Sequence, residues 1–297
     1  MNLKDFKVVF AGCARDCSNF LPKTLDNIRY YSSLFGESYT VIVENGSVDT
    51  TKDILNKNQK KNDKFLFCDH FNNFPYRGQR LEKGRNLILE TIKQDKKLRN
   101  CDLFIMLDLD DMGTYKINSE DIKNSIEFLF SKEDIAGVFA NQEGIYYDMW
   151  TLRDDTYCKD DFWAEVFKFL IKNKNSFEQI SKQLFDQAKK EVIDKKLLSF
   201  KRTEPPILVK SAFGGFGIYK MDKVLKNQNK YQGIQNFEVY TKDNKKININ
   251  YQKCEHVNFN EGFIKQNLKL YILPNRINHK FLKLEFNAVS ALNLLIK

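Results

Sequence analysis

A chain of 297 residues with 42% hydrophobic and 29% charged positions has the make-up of a folded globular protein, and its 25 phenylalanines can fill a sizeable core. No apolar run reaches the ~20 residues that a membrane-spanning helix needs, which excludes such a helix. The net charge of +9 suits phosphate-bearing partners, but the lysines are scattered among acids and accompany no nucleic-acid-binding motif, so nucleic acid is not expected as a partner.

The opening MNLKDFKVVFAG runs into a strand over 6–12 ending in Gly12. It does not have the form of a secretion signal, and the expected location is cytoplasmic. Residues 19–35 place Leu21, Leu25, Ile28 and Leu34 on one helical face, with Gly36 as a C-cap. YTVIVEN (39–45) reads as a strand, 50–60 as a short polar helix and KFLFCDH (64–70) as a third strand. RLEKGRNLILETIKQD (80–95) reads as a helix and DLFIMLDLD (102–110) as a fourth strand. This alternation predicts an α/β fold with a mainly parallel sheet flanked by helices. A helix over 121–131 and a strand over 136–142 follow. The stretch 155–200 is helical, with Phe162, Val166 and Phe169 in one stripe and Phe177, Ile180, Leu184, Ala188 and Val192 in another. Packing against the main body is the plain reading of these stripes, and an acceptor-side lid or a peripheral membrane contact the sharper one. Residues 205–220 return to strand and turn, and 251–260 and 268–274 read as strands or loops.

In sheets of this kind ligands sit beyond the carboxyl ends of the strands. The fourth strand brings Asp108, Asp110 and Asp111 to that place. On a continuing strand Asp108 and Asp110 share a face, and oxygen ligands so spaced suit Mg²⁺ or Mn²⁺. Asp111 points the other way. The second strand delivers Glu44, Asn45, Gly46, Ser47 and Asp49 to the same edge, where Asp49 either meets a nucleotide or caps the next helix. Arg77, Arg80, Lys83 and Arg85 cluster near a helix start; Arg80 and Arg85 are placed to reach a diphosphate. Gly84, inside that helix, implies a close approach of its backbone to a neighbour. Gly214, Gly215 and Gly217 let a loop pass close to a ligand. Glu255 and His256 are adjacent, suited to a base and a metal or phosphate ligand. Of the six cysteines only Cys13 and Cys17 are close, and no second pair completes a zinc site.

Together these segments resemble a nucleotide-sugar glycosyltransferase of the GT-A fold over roughly residues 6–260. DLDDM, YDMWTLRD (147–154), SAFGGFGIYK (211–220) and CEHVNFN look, more narrowly, like the fungal capsule-associated mannosyltransferase group and related microbial and viral enzymes. The resemblance implies one catalytic domain, with 1–118 as the nucleotide-binding half and 119–297 as the acceptor half carrying the helical insertion. It implies a UDP- or GDP-sugar donor, a glycan or other hydroxyl acceptor, and Mn²⁺ or Mg²⁺. Donor contacts would come from Ala11, Gly12, Arg15, Glu44, Ser47, Asp49, Arg80, Gly84, Arg85 and Asp108. Asp108, Asp110 and His256 would hold the metal. Trp150, Arg153, Gly214 and Gly215 would lie on the acceptor side. Glu255 would act as the base of an inverting displacement, with Asp148, Asp154 and Asp155 in reserve. The common inverting pattern has a Glu-Asp pair where this chain has Glu255-His256.

Three rivals share some of these features. A haloacid-dehalogenase-like phosphatase carries D-x-D-x-T at the end of its first strand; here Met112 occupies the Thr position and the acids end the fourth. A nucleotidyltransferase also pairs Asp residues with metal, but AGCARDCSNF is too poor in Gly for its loop. A non-catalytic sugar-nucleotide-binding protein on the same fold is the remaining alternative.

Overall fold

The computed structural model describes residues 1–174, 180–281 and 292–296. The elements in order are β1 Lys7–Ala14, α1 Leu21–Leu34, β2 Glu37–Glu44, α2 Thr51–Asn58, β3 Asp63–Phe67, α3 Arg77–Gln94, α4 Lys96–Arg99, β4 Leu103–Leu107 and α5 Ser119–Phe130. There follow β5 Ile135–Gly144, α6 Phe162–Asn173, α7 Lys182–Ala188, β6 Ile207–Val209, β7 Phe216–Lys220, α8 Met221–Lys226, β8 Ile234–Tyr240, β9 Lys246–Gln252, α9 His256–Ile264 and β10 Lys269–Phe281.

Eight strands form one sheet in the order β3-β2-β1-β4-β7-β5-β10-β6. β1 pairs in parallel with β2 and β4, and β2 with β3. β7 runs antiparallel between β4 and β5, and β6 runs antiparallel on the edge strand side of β10. The period-2 geometry of β1 sorts its side chains into two cores. Val9 and Ala11 pack with Ile88, Leu89 and Ile92 of α3 on one face. Val8 and Phe10 pack with Leu21, Leu25 and Ile28 of α1 and Ile122 and Ile126 of α5 on the other. A strand covered on both faces is apolar throughout rather than alternating, which is why KVVFAGCA shows no period.

The helical stretch packs on the main body. Phe162, Val166, Leu184 and Ala188 join the α3-side core, with Phe169, Ile180 and Val192 half-buried against it. Phe177 lies outside the described residues. Asp161 and Ser181 cap α6 and α7 by accepting hydrogen bonds from backbone N–H groups of the first turns. No helix among the described residues is long and apolar enough to cross a membrane.

Four local readings need correction. β4 ends at Leu107, so the acids stand in the turn beyond the strand. Gly36 is no C-cap: the helix cap is Phe35, and a Cβ on Gly36 would stand 2.1 Å from the carbonyl oxygen of Lys4, so the glycine serves a chain crossing. Residues 256–264 form α9, where strand or loop was expected through 260. The β8–β9 hairpin was not foreseen; its turn uses Asn244 at φ +60, a left-handed position that Asn tolerates.

Candidate active site

The acidic turn is positioned from beneath. Leu109 is buried, and a Cβ on Gly12 would stand 2.8 Å from its Cγ. Gly12 therefore makes room for Leu109, and with Leu109 driven inward its neighbours Asp108 and Asp110 both face one crevice. The shared face survives although the strand has ended. Asp108 accepts from the Tyr147 hydroxyl at 3.2 Å and from Arg85 at 3.2 Å, and its own N–H donates to Gly215 at 3.0 Å. The Asp110 carboxylate accepts from the Met112 N–H at 3.2 Å. Burial and the nearby charges of Asp108 and Asp111 push its carboxyl up to about 7. Asp111 is exposed.

Opposite the acids, Arg15, Arg77 and Arg80 line the same crevice, a cavity of ≈ 190 Å³. Arg80 is fixed by the carbonyls of Phe74 (2.7 Å) and Pro75 (2.9 Å), and burial together with the charges of Arg15 and Arg77 lowers its pKa. Its Nε is buried without a hydrogen-bond partner among the described residues. Arg15 donates to Asn72 at 2.7 Å and to the carbonyl of Asn45. Three guanidiniums turned to one cavity repel one another, and an anion between them relieves that repulsion.

The β1–α1 and β2–α2 loops are stitched into the wall of this crevice. The fully buried Glu44 accepts from the N–H groups of Gly46 (3.1 Å) and Ser47 (2.5 Å). Ser47 accepts from Asp16 N–H (3.0 Å), and Asp16, held at φ +47, accepts from Val48 N–H (2.8 Å). Asp49 accepts from Ser18 (3.0 Å) and Thr51 (2.9 Å). Burial pushes its carboxyl up, but these hydrogen bonds outweigh that and bring it down to about 2. Glu44, Ser47 and Asp49 thus hold loops together rather than line the crevice. Ala11 and Gly12 are core positions of β1. Gly84 lets α3 settle on the loop ends: a Cβ there would stand 2.8 Å from Cys13 Sγ and 3.1 Å from Asn45 Oδ1.

A second cavity of ≈ 250 Å³ adjoins the first at Arg77, Leu81 and Asp108. Trp150, Trp163, Phe213 and Tyr147 give it an aromatic lining, and Asp148 and Glu255 supply carboxyls. Asp148 accepts from the Thr151 hydroxyl (2.7 Å) and from Gly214 N–H (2.9 Å). Burial pushes its carboxyl up to about 6, against those hydrogen bonds. Glu255 is ion-paired with Arg85, which sits over the rings of Phe213 and Tyr231 at 5.1 and 5.9 Å. Arg85 is committed to Asp108 and Glu255, away from the arginine crevice. Gly214 and Gly215, at φ +64 and +77, connect Asp148 and Asp108 through their backbone.

His256 stacks on Phe213 with centroids 3.9 Å apart, and neither ring nitrogen has a hydrogen-bond partner among the described residues, Nε2 standing 3.9 Å from Glu255 Oε1. Burial and the charge of Arg85 push its pKa well down, so it is neutral. Among the described residues no three His, Cys, Asp or Glu side chains come close enough to hold a metal, so His256 does not join Asp108 and Asp110. Arg153 pairs with Asp161 at 2.6 Å and lines neither of these two cavities. Asp154 accepts from Thr156 and Tyr157 N–H groups in a turn, and Asp155 is an exposed partner of Lys210. Sequence reasoning passed over Arg77 and Tyr147. Arg77 stood in the cluster read near a helix start without a role of its own, and its place on the shared rim of both cavities was not visible.

No family model matches this chain, and no curated protein does. Solved structures of similar course include Staphylococcus aureus TarS 1–349 in complex with UDP-GlcNAc, 13% identical over 96% of this chain and 60% of that one, TM-score 0.46. Another is the mannosyltransferase PcManGT from Pyrobaculum calidifontis in complex with GDP-Man and Mn²⁺, at 11% over 75% and 47%, TM-score 0.40. A third is glucosyl-3-phosphoglycerate synthase from Mycobacterium tuberculosis in complex with Mn²⁺, UDP and glucosyl-3-phosphoglycerate, at 10% over 97% and 75%, TM-score 0.40. The chain spans 60% or less of the first two. Likenesses this distant carry no argument about activity, and the function has to be read from the site.

Proposed function

We propose that this protein transfers a sugar from a nucleoside-diphosphate donor, of the UDP- or GDP-sugar kind, to a hydroxyl acceptor. The observation that carries the reading is the pairing, across one crevice, of Asp108 and Asp110 with Arg15, Arg77 and Arg80. Acids alone would suit a cation and arginines alone an anion. Both together suit a diphosphate with its divalent metal.

Oxygen donors on two adjacent carboxylates fit Mg²⁺ or Mn²⁺, and the raised Asp110 carboxyl is what an acid pair facing one space is expected to have. Asp108 and Asp110 would hold the metal, which would neutralise charge on the departing diphosphate. Arg77 and Arg80 bind the diphosphate in this reading. The base and ribose rest on the Cys13–Cys17 loop and Asn45, which line the crevice, while Asp49 braces that loop.

The acceptor enters the aromatic cavity, whose rings exclude water and offer apolar faces to a sugar. Between Asp148 and Glu255, Asp148 is the proton acceptor. Among the described residues it has no cationic partner, whereas protonating Glu255 would break a buried ion pair. Asp148 takes the proton of the attacking hydroxyl as the bond to the anomeric carbon forms and the bond to the diphosphate breaks. Within this class, the CEHVNFN and SAFGGFGIYK segments favour the fungal capsule-associated group. The test is release of nucleoside diphosphate from a panel of sugar nucleotides with Mn²⁺. Release by the native chain and its loss in Asp110→Asn support the reading; no release from any donor overturns it.

A further inference from the structure

A cavity of ≈ 460 Å³ lies beyond the site just described, within the ~300–1,000 Å³ range of small-molecule sites. The segment 253–257 walls it off from the cleft. Cys254, Glu255 and His256 line the aromatic cavity; Lys253 and Val257 line this one. Arg153, Lys159, Lys210, Lys253 and Lys265 face it, against Asp160, Asp161 and Glu261. Asp161 is already consumed by Arg153 and by the first turn of α6. Lys210 pairs with the exposed Asp155.

Lys253 is the telling member. It is 8% exposed, yet its ammonium has no hydrogen-bond or ion-pair partner among the described residues. Burying a charge without a partner is expensive. Burial lowers its pKa and the charge of Arg153 adds to that, against the opposing charges of Glu261, Asp161 and Cys254. Lys159 and Lys265, at the exposed rim, also lack ion pairs among the described residues. Beside them Ser211 offers a hydroxyl whose oxygen accepts from Asn260 at 3.0 Å, leaving its proton to donate. A largely buried lysine whose unpaired ammonium opens onto a basic-rimmed cavity is preorganised for an anion.

We infer that this cavity binds a phosphate group, with Lys253 as its inner contact and Lys159 and Lys265 at its mouth. Lysine serves phosphate as a point charge, and three of them suit a dianion better than a single carboxylate. The group is either free inorganic phosphate or part of a small organic phosphate.

The experiment titrates the full chain with inorganic phosphate, and separately with glycerol phosphate, by calorimetry at constant ionic strength. It uses no sugar nucleotide, so it is independent of the transfer reaction. The native chain should bind saturably, and Lys253→Met should weaken binding roughly tenfold or more, as loss of one charge-assisted contact does. Tighter binding of glycerol phosphate would assign the site to an organic phosphate, and equal binding to the free ion. If Lys253→Met does not fold, the exposed pair Lys159→Gln and Lys265→Gln must weaken binding instead. Phosphate should also slow acylation of Lys253, read by peptide mass spectrometry. Absence of saturable binding overturns the inference. So does binding that survives Lys253→Met but is lost in Arg77→Ala, which would place the phosphate in the arginine crevice.

Discussion

Arg85 reaches from the middle of α3 to Asp108 at 3.2 Å, and with its other terminal nitrogen it pairs with Glu255. One buried guanidinium therefore ties the acidic turn to the segment that walls the aromatic cavity. Replacing it should leave Glu255 as a buried, unpaired charge, a loss of about 3–5 kcal/mol. Urea denaturation of Arg85→Met should show it. The double variant Arg85→Met with Glu255→Gln should recover part of the loss; no recovery would mean the pair is not what stabilises this region.

Asp110 sets a pH dependence. Its folded carboxyl is raised to about 7 above an ordinary value of 3.8. The folded state thus holds a proton that the unfolded state has already released between those values. Stability should fall as pH rises from about 4 to 7 and level off above. Asp148, raised to about 6, contributes with the same sign, so the difference between native chain and Asp110→Asn isolates the first group. Thermal melts without metal across pH 5–8 should fall more steeply for the native chain. Mn²⁺ affinity should rise over the same range as it displaces that proton.

Asp148→Asn should lower transfer by about 10²–10⁴-fold while leaving nucleotide affinity unchanged, the signature of a lost proton acceptor. The native rate should rise with pH through about 6, where Asp148 ionises. Glu255→Gln with an unaffected pH profile would agree; loss of that rise in Glu255→Gln would return the role to Glu255.

Gly214 sits at φ +64, and a Cβ there would stand 2.5 Å from the carbonyl oxygen of Ala140. Its N–H also holds Asp148. Gly214→Ala should cost at least ~1–2 kcal/mol from the left-handed backbone alone. Activity should fall further than the loss of folded protein explains, because Asp148 loses its position. Activity per folded molecule equal to native would contradict this.

The strand-helix alternation of the first half was legible because its buried strands read as short apolar runs and its helices carry a 3.6-residue period. The acid pair was legible for the same reason: an apolar run that stops in carboxylates marks a strand end. The roles of Glu44, Ser47 and Asp49 were not legible. Their residue types suit ligand contact and loop bracing equally, and only the partner loop at Asp16–Ser18 decides between them. Arg85 reads as an anion binder by type, but its partners Asp108 and Glu255 lie 23 and 170 positions away. Lys253 looked like one lysine among many, because burial without a partner is a tertiary property.

The most direct measurement is a thermal-shift comparison of nucleoside diphosphates and sugar nucleotides with and without Mn²⁺. A ligand at a hundredfold its Kd stabilises the folded chain by about 2.7 kcal/mol. The account predicts a melting-temperature rise with a UDP- or GDP-bearing ligand that requires Mn²⁺ and vanishes in Asp110→Asn. No rise with any nucleotide, or a rise that Asp110→Asn leaves intact, would contradict it.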